Sequence, residues 1–192
     1  MGRLADWIFF RNHHLCPRWM CFTFDNGLRR LVQNPDRIIR QYVREGDTVL
    51  DVGPGIGYFT IPMANIVGDG GRVIAADIQS SMLEGIQKRA LRAGVADRVS
   101  LHPAGADSLN VTARADFILA FWMAHEVPDQ ERFFSELHAV MKQDGTFLLV
   151  EPKLHVSGRQ FDSQINIAQK AGFTLLSRPA IPLSLAALFA GV

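Results

Sequence analysis

One stretch of the chain gathers residues suited to a nucleoside ligand. Asp51-Val52-Gly53-Pro54-Gly55-Ile56-Gly57 joins an apolar run to a helical pattern, and Asp77 ends the next apolar run twenty residues after Gly57. Glycines at a strand end let the backbone approach a ligand closely, and a carboxylate there accepts both hydroxyls of a ribose. A dinucleotide fingerprint wants a glycine at position 58 and finds Tyr58. A second group, His125-Glu126-Val127-Pro128-Asp129, follows a later apolar run. Imidazole titrates near neutrality, so His125 is the candidate for moving a proton; its plainer reading is a packed or capping side chain. A third group, His13, His14, Cys16 and Cys21, places four metal-capable side chains within nine residues. Their spacing matches no zinc pattern, so buried thiols and surface imidazoles are expected rather than a metal.

Seven short runs read as strands: 48–52, 73–77, 99–102, 117–122, 146–151, 173–177 and 183–189. The first five are continuously apolar, which suits strands covered on both faces of a parallel sheet. Helical patterns separate them. Asn34-Pro35-Asp36 reads as an N-cap, an N1 proline and an acid in the first turn of a helix running to about Arg44. A pattern starting at Tyr58 follows the glycine loop, and Leu83, Ile86 and Ala90 mark a helix that closes at Gly94. Phe133, Leu137, Val140 and Met141 form a stripe behind Pro128-Asp129, and Phe161, Ile165 and Ala168 form another before Gly172. The alternation predicts βαβ units. The few residues around Pro179–Pro182 leave no room for a crossover, so the last two strands must form an antiparallel hairpin.

At 192 residues, with 48% hydrophobic and 20% charged residues, the chain has globular composition. A net charge of +1 gives no basic field for a polyanion, so no nucleic-acid partner is expected. Two cysteines make no disulfide framework. The N-terminal apolar run is broken by Asp6, and the longest apolar stretch, 185–192, is far shorter than a membrane span. A cytoplasmic protein without a membrane partner is the expectation.

With these residues in place, the chain resembles the class I S-adenosylmethionine-dependent methyltransferases. The loop Asp51–Gly57 is similar to that family's acidic-x-Gly-x-Gly-x-Gly loop, and Asp77 to its ribose acid. His125-Glu126-Val127-Pro128-Asp129 resembles its His-x-x-Pro-Asp stretch, and Lys142-Gln143-Asp144-Gly145 its Lys-Pro-Gly-Gly turn. The resemblance spans about residues 35–190. It implies a Rossmann-like α/β fold: seven strands in the order 3-2-1-4-5-7-6, the last hairpin antiparallel, helices on both faces. It implies S-adenosylmethionine as cofactor. Gly53 and Gly55 would pass under its methionine part, with Gly57 a further cofactor-binding residue of the loop; Asp51 would orient its amino group, Asp77 would hold its ribose and Ile78 would pack on adenine. Ala106 and Asp107 would meet the adenine edge, although Gly105-Ala106 stands where the family carries an acid before alanine. Phe121 ends strand four, where cofactor and acceptor meet, and His125 is the candidate catalytic base.

Residues 1–33 precede the alternating pattern and are expected to form a lid over the main domain, 34–192. Trp7, Phe9, Phe10, Trp19, Phe22 and Phe24 suit a lid over an apolar or aromatic small-molecule acceptor. The function expected is O-, C- or S-methylation of such an acceptor. A non-catalytic S-adenosylmethionine-binding protein and a nicotinamide-dependent oxidoreductase are the alternatives, the second disfavoured by Tyr58. The oligomeric state is left open.

Overall fold

The computed structural model describes residues 27–105 and 107–191. Among them, seven strands form one sheet in the order β3-β2-β1-β4-β5-β7-β6. These are β1 (Thr48–Val52), β2 (Arg72–Asp77), β3 (Val99–Pro103), β4 (Ala115–Phe121), β5 (Met141–Pro152), β6 (Phe173–Ser177) and β7 (Ser184–Gly191). The pairs among β1 to β5 are parallel, and β7 runs antiparallel to both β5 and β6. The hairpin is the one the short connection predicts, and the order is the one the resemblance implies.

The helices are α1 (Gly27–Val32), α2 (Pro35–Ile39), α3 (Thr60–Val67), α4 (Ser80–Ala93), α5 (Gln130–Val140) and α6 (Gly158–Lys170). Successive β4 residues feed opposite faces. Phe117, Leu119 and Phe121 join Ile39, Met63 and Ile86 on one side, while Ile118 and Ala120 join Phe134, Leu137 and Phe161 on the other. Two covered faces explain why the central strands read as unbroken apolar runs. Local chemistry sets the helix ends. Asn34 and Asp129 accept from the backbone N–H of Arg37 and Arg132, Ser157 and Gln160 form a capping box, and Gly94 closes α4 at φ 70°.

Most strand ends lie within two residues of expectation, and three boundaries have a clear physical reason for differing. Helix α2 stops at Ile39 rather than near Arg44, because the chain turns over residues 40–42 to bury Val43. Helix α3 starts at Thr60, since the turn carrying Gly55 and Gly57 extends through Phe59. Strand β5 begins at Met141, paired with Ala115 across an irregularity, so the stretch expected as a turn, Lys142–Gly145, belongs to the strand.

Candidate cofactor and active site

The glycine loop leaves β1 at the carboxyl edge of the sheet. Gly53, Gly55 and Gly57 have φ of 60°, 57° and 87°, the left-handed region that favours glycine. The N–H of Gly53 donates to Ala76 O at 2.9 Å, hanging the loop on β2. A β-carbon on Gly53 would stand 2.9 Å from Cγ of Met123, whereas one on Gly55 would meet nothing within 4 Å. Gly55 thus presents bare backbone to open space.

That space is a cavity of about 560 Å³ over the ends of β1, β2 and β4. Asp51, Gly53, Gly55, Asp77, Ile78, Asp107 and Phe121 all line it, so most of the sequence-predicted binding residues are brought together. Gly57 lies behind the wall, facing Ile86 and Thr60. Ala106 lies outside the described residues, as do His13, His14, Cys16, Cys21 and positions 1–26 of the expected lid. Residues 27–33 join the fold directly: the side chain of buried Gln33 donates to Pro182 O at 2.7 Å and Ser184 Oγ at 3.2 Å, and Tyr58 OH donates to Gln33 O at 2.8 Å.

Two carboxyls stand at the cavity floor in unlike settings. Asp51 is buried and accepts a 2.6 Å hydrogen bond from Thr60 Oγ1; burial pushes its pKa up to about 7, opposed by the Thr60 hydroxyl and helped by the charge of Asp77. Asp77 is pushed up to about 6 by burial, against the lowering effect of the backbone N–H groups of Gln79, Gly55 and Ile78. One carboxylate therefore fixes both the glycine loop and the start of α4.

On the β3 side, Gly105 N–H donates to Ser108 O at 2.8 Å, and Leu109 is held at both ends. Its N–H donates to Glu136 Oε2 at 2.7 Å, and His102 Nε2–H donates to its carbonyl at 2.8 Å. Asp107 is exposed on this loop.

On the β4 side the wall is aromatic. The Phe121 ring lies 4.4 Å from Phe59 and 5.5 Å from Trp122, centroid to centroid. Trp122 has φ 62°, and its indole Nε1 donates to Ser184 Oγ at 2.9 Å. Glu126, Asp129 and Arg132 add polar groups to the same wall.

His125 stands next to this wall and is held from outside it. Its Nδ1–H donates to Oε2 of Glu151 at 2.7 Å, and Gln164 Nε2 donates to the other oxygen at 3.1 Å. Glu151 is fully buried, and its hydrogen bond holds the His125 pKa above the ordinary value despite some loss of solvation. His125 is not among the residues lining the cavity, whereas its neighbours Met123, Glu126 and Val127 are. Among the described residues, no group of three or more His, Cys, Asp or Glu side chains is placed to hold a metal.

Sequence reasoning missed Thr60, Glu151, Gln164, Ser184, Glu136 and Gln33. Apart from Thr60, each acts through a partner distant in sequence, so no local motif marks it.

Residues 49–145 match the family model described as a methyltransferase domain. The chain is 34% identical over 110 residues to a ubiquinone/menaquinone biosynthesis C-methyltransferase UbiE of Enterobacter sp. (strain 638), covering 57% of this chain and 44% of that one. It is 30% identical over 135 residues to the UbiE of Klebsiella pneumoniae subsp. pneumoniae, covering 68% and 54%. The chain thus spans about half the length of the curated relatives it matches. In fold it is similar to a SAM-dependent methyltransferase from Aquifex aeolicus, with a TM-score of 0.83, 20% identity and coverage of 93% of this chain and 100% of that one. It is also similar to the pyocyanin biosynthetic protein PhzM, with a TM-score of 0.71, 17% identity and coverage of 97% and 64%.

Proposed function

The chain belongs to the methyltransferase-domain family, the class I S-adenosylmethionine-dependent enzymes, and from that premise we propose that it methylates a small, largely apolar acceptor. The cofactor of this family is S-adenosylmethionine, which supplies a methyl group already activated on a sulfonium. The residues present fit it. Gly55 leaves its β-carbon position open to the cavity, and Asp51 and Asp77 stand at the floor where an ammonium and a ribose need acceptors.

The observation that carries the reading is the cavity itself, with bare glycine backbone and two carboxyls at one end and the rings of Phe121 and Trp122 at the other. In this reading Asp77 holds the ribose hydroxyls, Asp51 orients the amino group, and Ile78 covers the adenine, whose edge meets Ala106 and Asp107. The aromatic wall excludes water and positions the acceptor for in-line transfer. The curated relatives are named as C-methyltransferases of ubiquinone and menaquinone biosynthesis, and we take an electron-rich carbon as the acceptor atom here. Carbon methylation then requires loss of the proton that the carbon carried. His125 is the proposed acceptor of that proton, made more basic by Glu151; the competing role is a strut that fixes the turn Ala124–Glu126 behind the cavity wall.

Calorimetry with S-adenosylhomocysteine tests the cofactor half, and no heat of binding would end it. Transfer of labelled methyl from S-adenosylmethionine to a panel of hydroquinones, phenols and thiols tests the acceptor half. Labelling confined to oxygen or sulfur would replace carbon.

A further inference from the structure

Helix α3 begins without a side-chain cap, since Phe59 stands at its N-cap. The hydroxyl of the next residue serves a different partner. Thr60 is fully buried, and its Oγ1 donates to Asp51 Oδ2 at 2.6 Å, a length that suits a hydroxyl donating to an ionised carboxylate. The two residues are nine positions apart, and the glycine loop folds the chain back to bring them together. Gly57 lies against the same threonine: a β-carbon there would stand 3.5 Å from Thr60 Oγ1.

Asp51 has apolar surroundings on every other side within the sheet. Its partners in register, Ala75 on β2 and Leu119 on β4, are buried, and α3 contains no charged residue. On α4, Arg89 donates to Ile56 O of the loop. The charge that bears on Asp51 is that of Asp77, which together with burial favours the neutral carboxyl, and the Thr60 hydroxyl opposes both. Asp107, Glu126, Asp129, Arg132 and Glu136 carry the other charges of the cavity wall. Among the described residues no donor is bonded to Oδ1 of Asp51, yet Oδ1 is not one of the buried side-chain atoms left without a partner. It is therefore reached from the cavity that Asp51 lines.

We infer that Thr60 is a positioning residue of the cofactor site: it holds one oxygen of Asp51 so that the other is aimed into the cavity as an ionised acceptor for the ammonium of the cofactor's methionine part. The inference rests on the cofactor reading above. Without the hydroxyl, a carboxyl this deeply buried would keep its proton to higher pH, and a neutral carboxyl does not attract an ammonium. The plainer role, filling space beneath the glycine loop, needs only the shape of the side chain, which valine shares. The two roles therefore part at the hydroxyl.

The test is calorimetric titration of the full chain across pH with two ligands. One is S-adenosylhomocysteine; the other is 5′-methylthioadenosine, which keeps the nucleoside and lacks the amino acid. In Thr60→Val the rise of S-adenosylhomocysteine affinity with pH should come about one pH unit later than in the wild type. The variant should then bind about tenfold more weakly near pH 6 and within about threefold of wild type near pH 8.5. Thr60→Ser should keep the wild-type profile, and Thr60→Cys, a weaker donor of similar size, should lie between serine and valine. Affinity for 5′-methylthioadenosine should be the same in all four proteins, since it carries no ammonium. A wild-type profile in Thr60→Val overturns the inference. So do equal losses for both ligands, because a displaced loop would weaken the nucleoside as well. If the valine variant does not fold, the cysteine variant decides in the same way, an unmoved profile overturning the inference. Absence of S-adenosylhomocysteine binding by the wild type would end the cofactor reading and this inference with it; binding with an unmoved profile in the variants would end the inference alone.

Discussion

Trp122 and Ser184, sixty-two positions apart, are joined by a 2.9 Å bond from indole Nε1 to the hydroxyl, and backbone in the left-handed region lies at both ends of it. Trp122 itself has φ 62°, and Leu183, just before Ser184, has φ 60°. The same hydroxyl also accepts from Gln33, so one small side chain connects the residue that follows α1, the end of β4 and the start of β7.

Removing that hydroxyl should be costly out of proportion to its size. Ser184→Ala removes an acceptor that the Trp122 indole and the Gln33 amide share, so a destabilisation of about 1–3 kcal/mol is expected in chemical denaturation. Ser184→Thr should restore most of it. An unchanged midpoint in the alanine variant would mean that packing alone fixes Trp122.

Gly55 and Gly53 should separate ligand space from structural space. In Gly55→Ala the new β-carbon meets nothing, so the fold should lose only about 1–2 kcal/mol for an alanine at positive φ, while S-adenosylhomocysteine affinity drops at least tenfold. In Gly53→Ala the β-carbon strikes Met123, so stability should fall further and the cavity wall should shift. Wild-type affinity in a folded Gly55→Ala would remove the loop from the proposed cofactor site.

These residues also show what the sequence reveals. The loop, Asp77, the strands and the final hairpin are legible because each rests on local spacing: glycine intervals, unbroken apolar runs, a connection too short for a crossover; the strand order comes from the family resemblance. Ser184, Glu151 and Glu136 are not legible, because each is defined by a partner brought near only by folding. The shortness of α2 is hidden for a similar reason, since the packing of Val43 overrides the helical pattern through Arg44. His125 is the mixed case. Its motif marks the position, but the direction of its ring depends on Glu151, which no spacing reveals.

Asp51 and Asp77 should make cofactor affinity depend on pH. Burial raises their pKa values to about 7 and about 6, and both must be ionised to accept an ammonium or ribose hydroxyls well. Affinity for S-adenosylhomocysteine should therefore rise from about pH 5 to about pH 8, with proton release on binding. Asp77→Ala should weaken binding about a hundredfold, since hydrogen bonds to a charged group are lost. For the unliganded protein the sign is opposite. A carboxyl with a raised folded pKa favours folding while protonated, so this contribution is full below the ordinary value of 3.8 and is lost as pH rises from there through about 6 to 7. Calorimetry across pH on wild type, Asp51→Asn and Asp77→Asn checks both signs. A flat wild-type profile would contradict them.

His125 offers the sharpest test of chemistry against support. Glu151 raises its pKa, so its contribution to stability is complete below the ordinary value of 6.5 and is lost as pH rises through the higher folded value. Melting temperatures of wild type should fall over that window relative to His125→Gln. That outcome is expected in either role, so rate must decide. If His125 takes the acceptor's proton, His125→Ala should cut turnover by about 10²–10⁴ and leave cofactor affinity alone. The acidic limb of the pH–rate profile would then report the raised imidazole pKa. Glu151→Gln keeps a hydrogen-bonding side chain but removes the charge, so it should move that limb to lower pH, toward 6.5. A strut predicts something different: lower stability in both variants, the same turnover per folded molecule, and a limb that does not move. A wild-type limb position in Glu151→Gln, with activity retained in His125→Ala, would take the proton from His125 and point to Glu126, whose neighbours Met123 and Val127 line the cavity with it.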